Sequence, residues 1–130
     1  KGALLVANFG DASIHKIELD ADGNVAKQSI MAKGGGVMKS ADGICIDDED
    51  NVYVADFSNN AVAKVEPCGT ISVIAQNGDN DGKSGLLDQP GEPIIWNGKL
   101  VVTCFDKVTG PDKVNKGHDA PHTITTLELK

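Results

Sequence analysis

Chemistry in this chain could begin from a small number of polar side chains. His118 and His122 stand four residues apart and flank Asp119. That spacing would suit two imidazoles on one metal if a helix carried them, but Pro121 lies between them and helical spacing does not apply. The pair is expected in a loop that shapes a pocket. The segment from Asn77 to Gly82 starts like a calcium loop, with acids at Asp79 and Asp81. It lacks the glutamate required at the twelfth position and has no flanking helices, so it reads as a flexible turn. Asp42 precedes Gly43, and Asp-Gly ahead of a strand is a common turn in which the carboxylate accepts nearby backbone amides. Glu92 is a polar intrusion at the start of the apolar run Pro93 to Trp96. It is either a solvated strand end or a carboxylate facing a channel. Cys45, Cys68 and Cys104 have no Cys-x-x-Cys spacing and form no even framework, so buried or half-buried thiols are expected. There is no nucleophile elbow, no phosphate loop and no strand–glycine–helix unit.

The elements that must position these groups repeat. Leu5 to Phe9, Tyr53 to Phe57 and Val101 to Phe105 are three related apolar runs. Val6, Val54 and Val102 are 48 residues apart in turn, and Phe9, Phe57 and Phe105 keep the same interval. Asn8, Asp56 and Cys104 share one position of the repeat. A second, alternating run follows each copy: Ser13 to Leu19, Ala61 to Val65 and Thr123 to Leu129. Alternation with period two marks half-buried strands. Further short strands are expected over Val25 to Ala32, Gly43 to Asp47, Thr70 to Ala75 and Pro93 to Trp96. Asp20 to Asn24, Asp48 to Asn51 and Asn97-Gly98 supply the turns between strands.

A unit of this length with four short antiparallel strands is a propeller blade. The fold class is therefore all-β, a partial β-propeller of about two and a half to three blades. Lettering strands a to d outward from the axis, the chain reads b, c, d, then a, b, c, d, then a, b, c. One partial propeller covers residues 1–130, with blades at 1–36, 37–80 and 81–130 and a loop insertion at 106–121. Such a chain cannot close a ring alone. Closure is expected from the remaining blades of a longer chain, roughly 290 residues for six such units, or from a second copy.

Composition narrows the functional classes. The net charge of −7 disfavours nucleic acid and anionic membranes and is compatible with a cation. Hydrophobic residues make up 40% of the chain, enough for a core, yet no run approaches the ~18 apolar residues of a membrane span. No basic, apolar, then small-residue leader pattern is present at the start. The compartment stays open between periplasmic or secreted and cytoplasmic.

Ala41-Asp42-Gly43-Ile44-Cys45-Ile46-Asp47, followed by Asn51-Val52-Tyr53-Val54-Ala55-Asp56, resembles a line that recurs in six-bladed propellers. NHL repeats share it, as do the gluconolactonase, senescence-marker (regucalcin) and diisopropyl-fluorophosphatase-like enzymes. Leu4 to Gly10 looks like another copy. The resemblance implies that Asp42 points into the axial pocket, as a calcium ligand and candidate base of a lactonase or esterase. Gly91-Glu92-Pro93-Ile94-Ile95-Trp96 resembles the opening of gluconolactonases, whose glutamate binds the metal, although that motif belongs to the first blade there and the Pro is displaced by one position. Calcium is thus the implied cofactor, with Asp42 and Glu92 as ligands, and a lactone or ester, or another small-molecule ligand, the implied partner. Asn8, Asp56, His118 and His122 are the remaining pocket or loop positions. The other family ligands belong to blades outside this sequence, so the fragment alone is expected to be inactive. The same resemblance covers non-catalytic propellers that bind a ligand or a protein on the loop face.

Overall fold

The computed structural model describes residues 2–107 and 114–129, so the centre of the expected 106–121 insertion lies outside the described residues. Three antiparallel sheets follow one another along the chain. The first holds β1 (Ala3–Asn8), β2 (Ser13–Leu19) and β3 (Val25–Lys33). The second holds β4 (Ile44–Ile46), β5 (Val52–Asp56), β6 (Ala61–Val65) and β7 (Ile71–Gln76). The third holds β8 (Pro90–Trp96), β9 (Lys99–Cys104) and β10 (Thr123–Glu128). Each sheet is ordered by sequence, giving the b-c-d, a-b-c-d, a-b-c series that the repeat implies. No helix among the described residues is long and apolar enough to cross a membrane.

The register repeats with the sequence. Val6 faces His15 across β1 and β2, and Val54 faces Ala63 across β5 and β6. Strand β5 is buried along its whole length because sheets cover it on both faces, which explains the unbroken apolar run Val52-Tyr53-Val54-Ala55. Toward the first sheet it presents Val52 and Val54, which pack with Ile14, Ala32, Ala63 and Val65. Toward the third it presents Tyr53, which packs with Val62, Leu87, Leu100 and Val102.

The outward faces of the first and third sheets have no such cover. Leu4, Val25 and Ile30 are exposed on the one, and Ile94, Trp96 and Ile124 on the other. Cross-strand pairing puts each set on a single face.

The two ends of the blades differ. One end has tight turns closed by side chains. Asp20 Oδ1 accepts the amides of Asp22 and Asn24 at 3.0 and 2.8 Å, and Asp47 Oδ1 accepts those of Glu49 and Asn51 at 2.9 and 2.8 Å. The other end carries the b-to-c connections and the long crossovers from d to the next a. Phe9, Phe57 and Phe105 lie there, each one residue beyond its strand rather than inside it. One further expectation is corrected. Cys68 is exposed, because it sits in a turn, while Cys45 is half-buried and Cys104 buried. The Asn77–Gly82 turn is knit by its own side chains: Asn80 Oδ1 accepts the Gly82 amide at 2.8 Å, and Asn77 Oδ1 accepts the Leu87 amide at 2.8 Å.

Asp56 ties the first crossover to the second sheet. Its buried carboxylate accepts the Lys39 and Ser40 amides at 3.0 and 2.8 Å and the Ser40 hydroxyl at 3.0 Å. Removing it would leave the buried Ser40 amide and hydroxyl and the part-buried Lys39 amide without their acceptor. Asp56→Ala is expected to cost about 2–4 kcal/mol, read as a lower urea midpoint with an unchanged denaturant slope.

Candidate functional site

The longer connections meet at the inner, loop-bearing end of the blades. Strand b runs antiparallel to strand a, so the end of b and the start of a lie together. The repeat therefore brings one phenylalanine per blade alongside Asp42. The three rings form a row: Phe9 to Phe57 is 6.1 Å between centroids, and Phe57 to Phe105 is 5.2 Å. Both pairs are tilted, a favourable arrangement for aromatic rings. Phe57 is buried in the middle, whereas Phe9 and Phe105 keep 44% and 41% of their surface. A cavity of about 180 Å³ opens on this row, lined by the three rings, Asp42 and Lys107. A second, of about 460 Å³, continues from Phe105 and Lys107 to Asp106, His118 and His122.

Asp42 stands at this mouth. Its backbone amide donates to the Ala55 carbonyl at 3.0 Å, which fixes the start of strand a. Partial burial alone holds its carboxyl above the usual range. Gly43 is required beside it: a Cβ there would come within 2.5 Å of the Gly91 carbonyl oxygen and overlap the Glu92 carboxylate. Glu92 is exposed on β8, and its amide donates to the Thr103 hydroxyl at 3.2 Å. Asp42 and Glu92 are thus brought to neighbouring inner strands. Among the described residues no three His, Cys, Asp or Glu side chains gather where they could hold a metal ion.

The remaining sequence positions fall differently. Asn8 is exposed, and its Oδ1 accepts the Gly10 amide at 3.1 Å. Asp56, its repeat equivalent, is buried and fully engaged as described. His118 and His122 lie 6.4 Å apart between ring centroids and line the larger cavity together. His118 Nδ1 is 2.9 Å from the Asp106 carbonyl oxygen, so that nitrogen carries the proton and Nε2 is left facing outward from the bond. Burial pushes the Cys45 thiol up to about 11, with the Glu92 charge adding to the effect, and burial raises Cys104 as well. Neither is a thiolate near neutral pH.

A buried polar group beneath the loops gave no signal in the sequence reading. Asn60 adopts φ +49 at the end of a single 3-10 turn, Phe57–Asn59. Its Oδ1 accepts the Gln89 amide at 2.8 Å, and its Nδ2 lies 3.0 Å from the Leu87 carbonyl. Asn115 spans from Asn60 to the Asp88 carboxylate, and the Lys107 amide donates to the Gln89 side chain. The Asp119 amide donates to Asp106. These bonds fasten both ends of the described part of the insertion. They also place carboxylates close together. Burial first, then repulsion from Asp106 and, behind the opposing Asn115 bond, from Asp119 and Asp79, pushes the Asp88 carboxyl up to about 6.

Comparison with known proteins agrees with the architecture. Residues 39–65 match the family described as NHL repeat. No curated protein matches the chain. Among solved structures, a crystal structure at 1.35 Å resolution of a protein of unknown function from Bacteroides caccae is similar, with TM-score 0.52 and 21% identity. The match covers 81% of this chain and 35% of that one, so the aligned part spans about a third of that protein. The chain is a propeller-type domain. More particularly, the stretch similar to the NHL repeat falls on β4, β5 and β6 of its four-stranded blade.

A raised carboxyl stabilises the fold only while it is protonated. Asp88 contributes fully below the ordinary aspartate value of 3.8, and the contribution is lost as pH rises through about 6. Asp88→Asn is therefore expected to raise the urea midpoint over the parent at pH 8, with the gap closing by pH 4.

Proposed function

We propose that this chain forms part of an NHL-type propeller that binds a ligand or a protein partner on its loop-bearing face. The row of Phe9, Phe57 and Phe105 carries the reading. Two of these rings stay exposed although aromatic side chains ordinarily bury, and they share a mouth with an acid and a base, Asp42 and Lys107. Apolar surface with a few convergent polar groups is the usual makeup of a binding pocket. The uncovered outer faces of the first and third sheets support contact with further blades, so the mouth would be one sector of a larger axial opening.

A second reading has one observation in its favour. Asp42 is a partly buried carboxylate at the mouth of the aromatic row, and the gluconolactonase resemblance would make that residue a calcium ligand and base. With calcium supplied by ligands from other blades, the metal would polarise a lactone or ester carbonyl and Asp42 would take a proton from water. Glu92 and the histidines would lie around that centre.

Two measurements separate the readings. Saturation-transfer NMR with a library of small aromatic acids, sugars and esters is expected to give binders that shift the phenylalanine ring resonances. Phe105→Ala should weaken them roughly tenfold without lowering the unfolding midpoint. Absence of any binder that reports on those rings would sink the binding-face proposal. Calorimetric titration with calcium chloride, on a chain extended by the further blades, tests the enzyme reading: a heat signal lost in Asp42→Asn supports it, and no heat, or heat unchanged by that substitution, removes it.

A further inference from the structure

We infer that the cavity between Phe105 and the two histidines binds a small primary amine, its ammonium held by the Asp106 carboxylate and its apolar body laid along the phenylalanine row. The inference rests on the loop-bearing end being a binding face, as proposed above, and names the chemistry of what binds there. The two cavities at that end share Phe105 and Lys107, so they are adjoining parts of one trough.

The anchor is Asp106. Only 2% of its surface is exposed, yet it lines the larger cavity. Its Oδ2 accepts the Asp119 amide, whereas Oδ1 is buried without a partner among the described residues. Gln89 Nε2 and Thr123 Oγ1 are in the same condition, but neither residue lines this cavity. A carboxylate oxygen in such a place is costly until a donor reaches it, and a charged donor serves it best. His118 supplies a second acceptor. Its Nδ1 donates to the Asp106 carbonyl, so the neutral ring carries its lone pair on Nε2, and the ring lines the same cavity. An ammonium has three N–H groups and can serve both acceptors at once. Phe105 stands beside them, and the face of such a ring attracts a cation. Phe9 and Phe57 extend the apolar wall for the rest of the molecule.

The surrounding charge has the matching sign. Asp106, Asp119 and Asp79 are close enough to repel the Asp88 carboxylate, and Asp42 stands at the adjoining mouth. Lys107 lines both cavities and the Lys116 amide donates to Asp79, but both lysines are exposed, where water screens their charge. The chain as a whole carries −7, which draws cations toward it. An acid in place of the amine would set its own carboxylate against Asp106 Oδ1.

The probe is n-hexylammonium chloride, titrated into the 130-residue protein while the ring resonances of Phe105, His118 and His122 are followed by NMR. Saturable shifts at Phe105 and His118 are expected. Hexanoate should give none, and hexyltrimethylammonium, a cation with no N–H to donate, should bind roughly tenfold more weakly. Asp106→Asn, checked for folding by circular dichroism, should also cost roughly tenfold, since the amide keeps an oxygen for Asp119 but loses the charge. Lys107→Met removes a competing cation and should tighten binding about twofold. The inference is overturned if hexanoate binds as well as the amine, if the trimethyl analogue matches it, or if Lys107→Met weakens it. Should acids, sugars or esters shift the phenylalanine rings while the amine does not, the amine is wrong and the binding face stands. Silence from every probe removes both.

Discussion

A blade of this kind has two apolar faces and too few residues to bury either one alone. Everything else in the structure depends on that constraint. The second sheet satisfies it on both sides, and its strand β5 is the most completely buried segment of the chain. The first and third sheets satisfy it on one side only. The interior is consequently two thin layers of Val, Ile, Leu and Ala between sheets rather than one central core. Aromatics are scarce at 4% of residues, because aliphatic side chains fill such layers closely. The phenylalanines that do occur sit past the strands, where they are available to the loop-bearing end.

The same constraint shapes the candidate site. Face-to-face packing sets the spacing between blades, and that spacing brings the rings of Phe9, Phe57 and Phe105 into one row. Asp42 reaches the row because strand a begins where strand b ends. Beneath it, Asn60, Asp88, Gln89 and Asn115 hold the loops by hydrogen bonds with little apolar support. That is a more costly way to fix a chain: the Gln89 Nε2 and Asp106 Oδ1 atoms are buried without partners among the described residues. A loop held on such terms can be adjusted by modest changes in charge.

Much of the fold was legible because its signals are periodic. Strand alternation and the 48-residue interval implied the order of the ten strands found among the described residues, and turn residues such as Asp20 and Asn51 marked the tight end. Strand limits were less legible, since Phe9, Phe57 and Phe105 continue the apolar pattern although the backbone has already turned. Of the site positions, the Asp-Gly pair marked the start of strand a and Pro121 marked the histidines as a loop pair; Asp42 lies at the mouth of the aromatic row and the two histidines share a cavity wall. Asn8 and Asp56 occupy the same repeat position but live in different surroundings, one exposed and one buried, because only Asp56 has the Lys39–Ser40 crossover folded over it. Asn60 and Asn115 are 55 residues apart, and no local pattern announces that their side chains meet. Lys107 likewise gains its place from the insertion that follows β9 rather than from the repeat.

The chain has a single tryptophan, and it is Trp96, with 63% of its surface open on the outer face of the third sheet. The indole is thus a built-in optical gauge of that face. While water surrounds it, emission belongs at long wavelength and quenchers reach it freely. Any blade that came to rest against Ile94 and Ile124 would dry the ring and move its emission to the blue. Events at the distant aromatic row would leave the colour unchanged, so one fluorophore, with no label added, distinguishes cover of this face from occupation of that row.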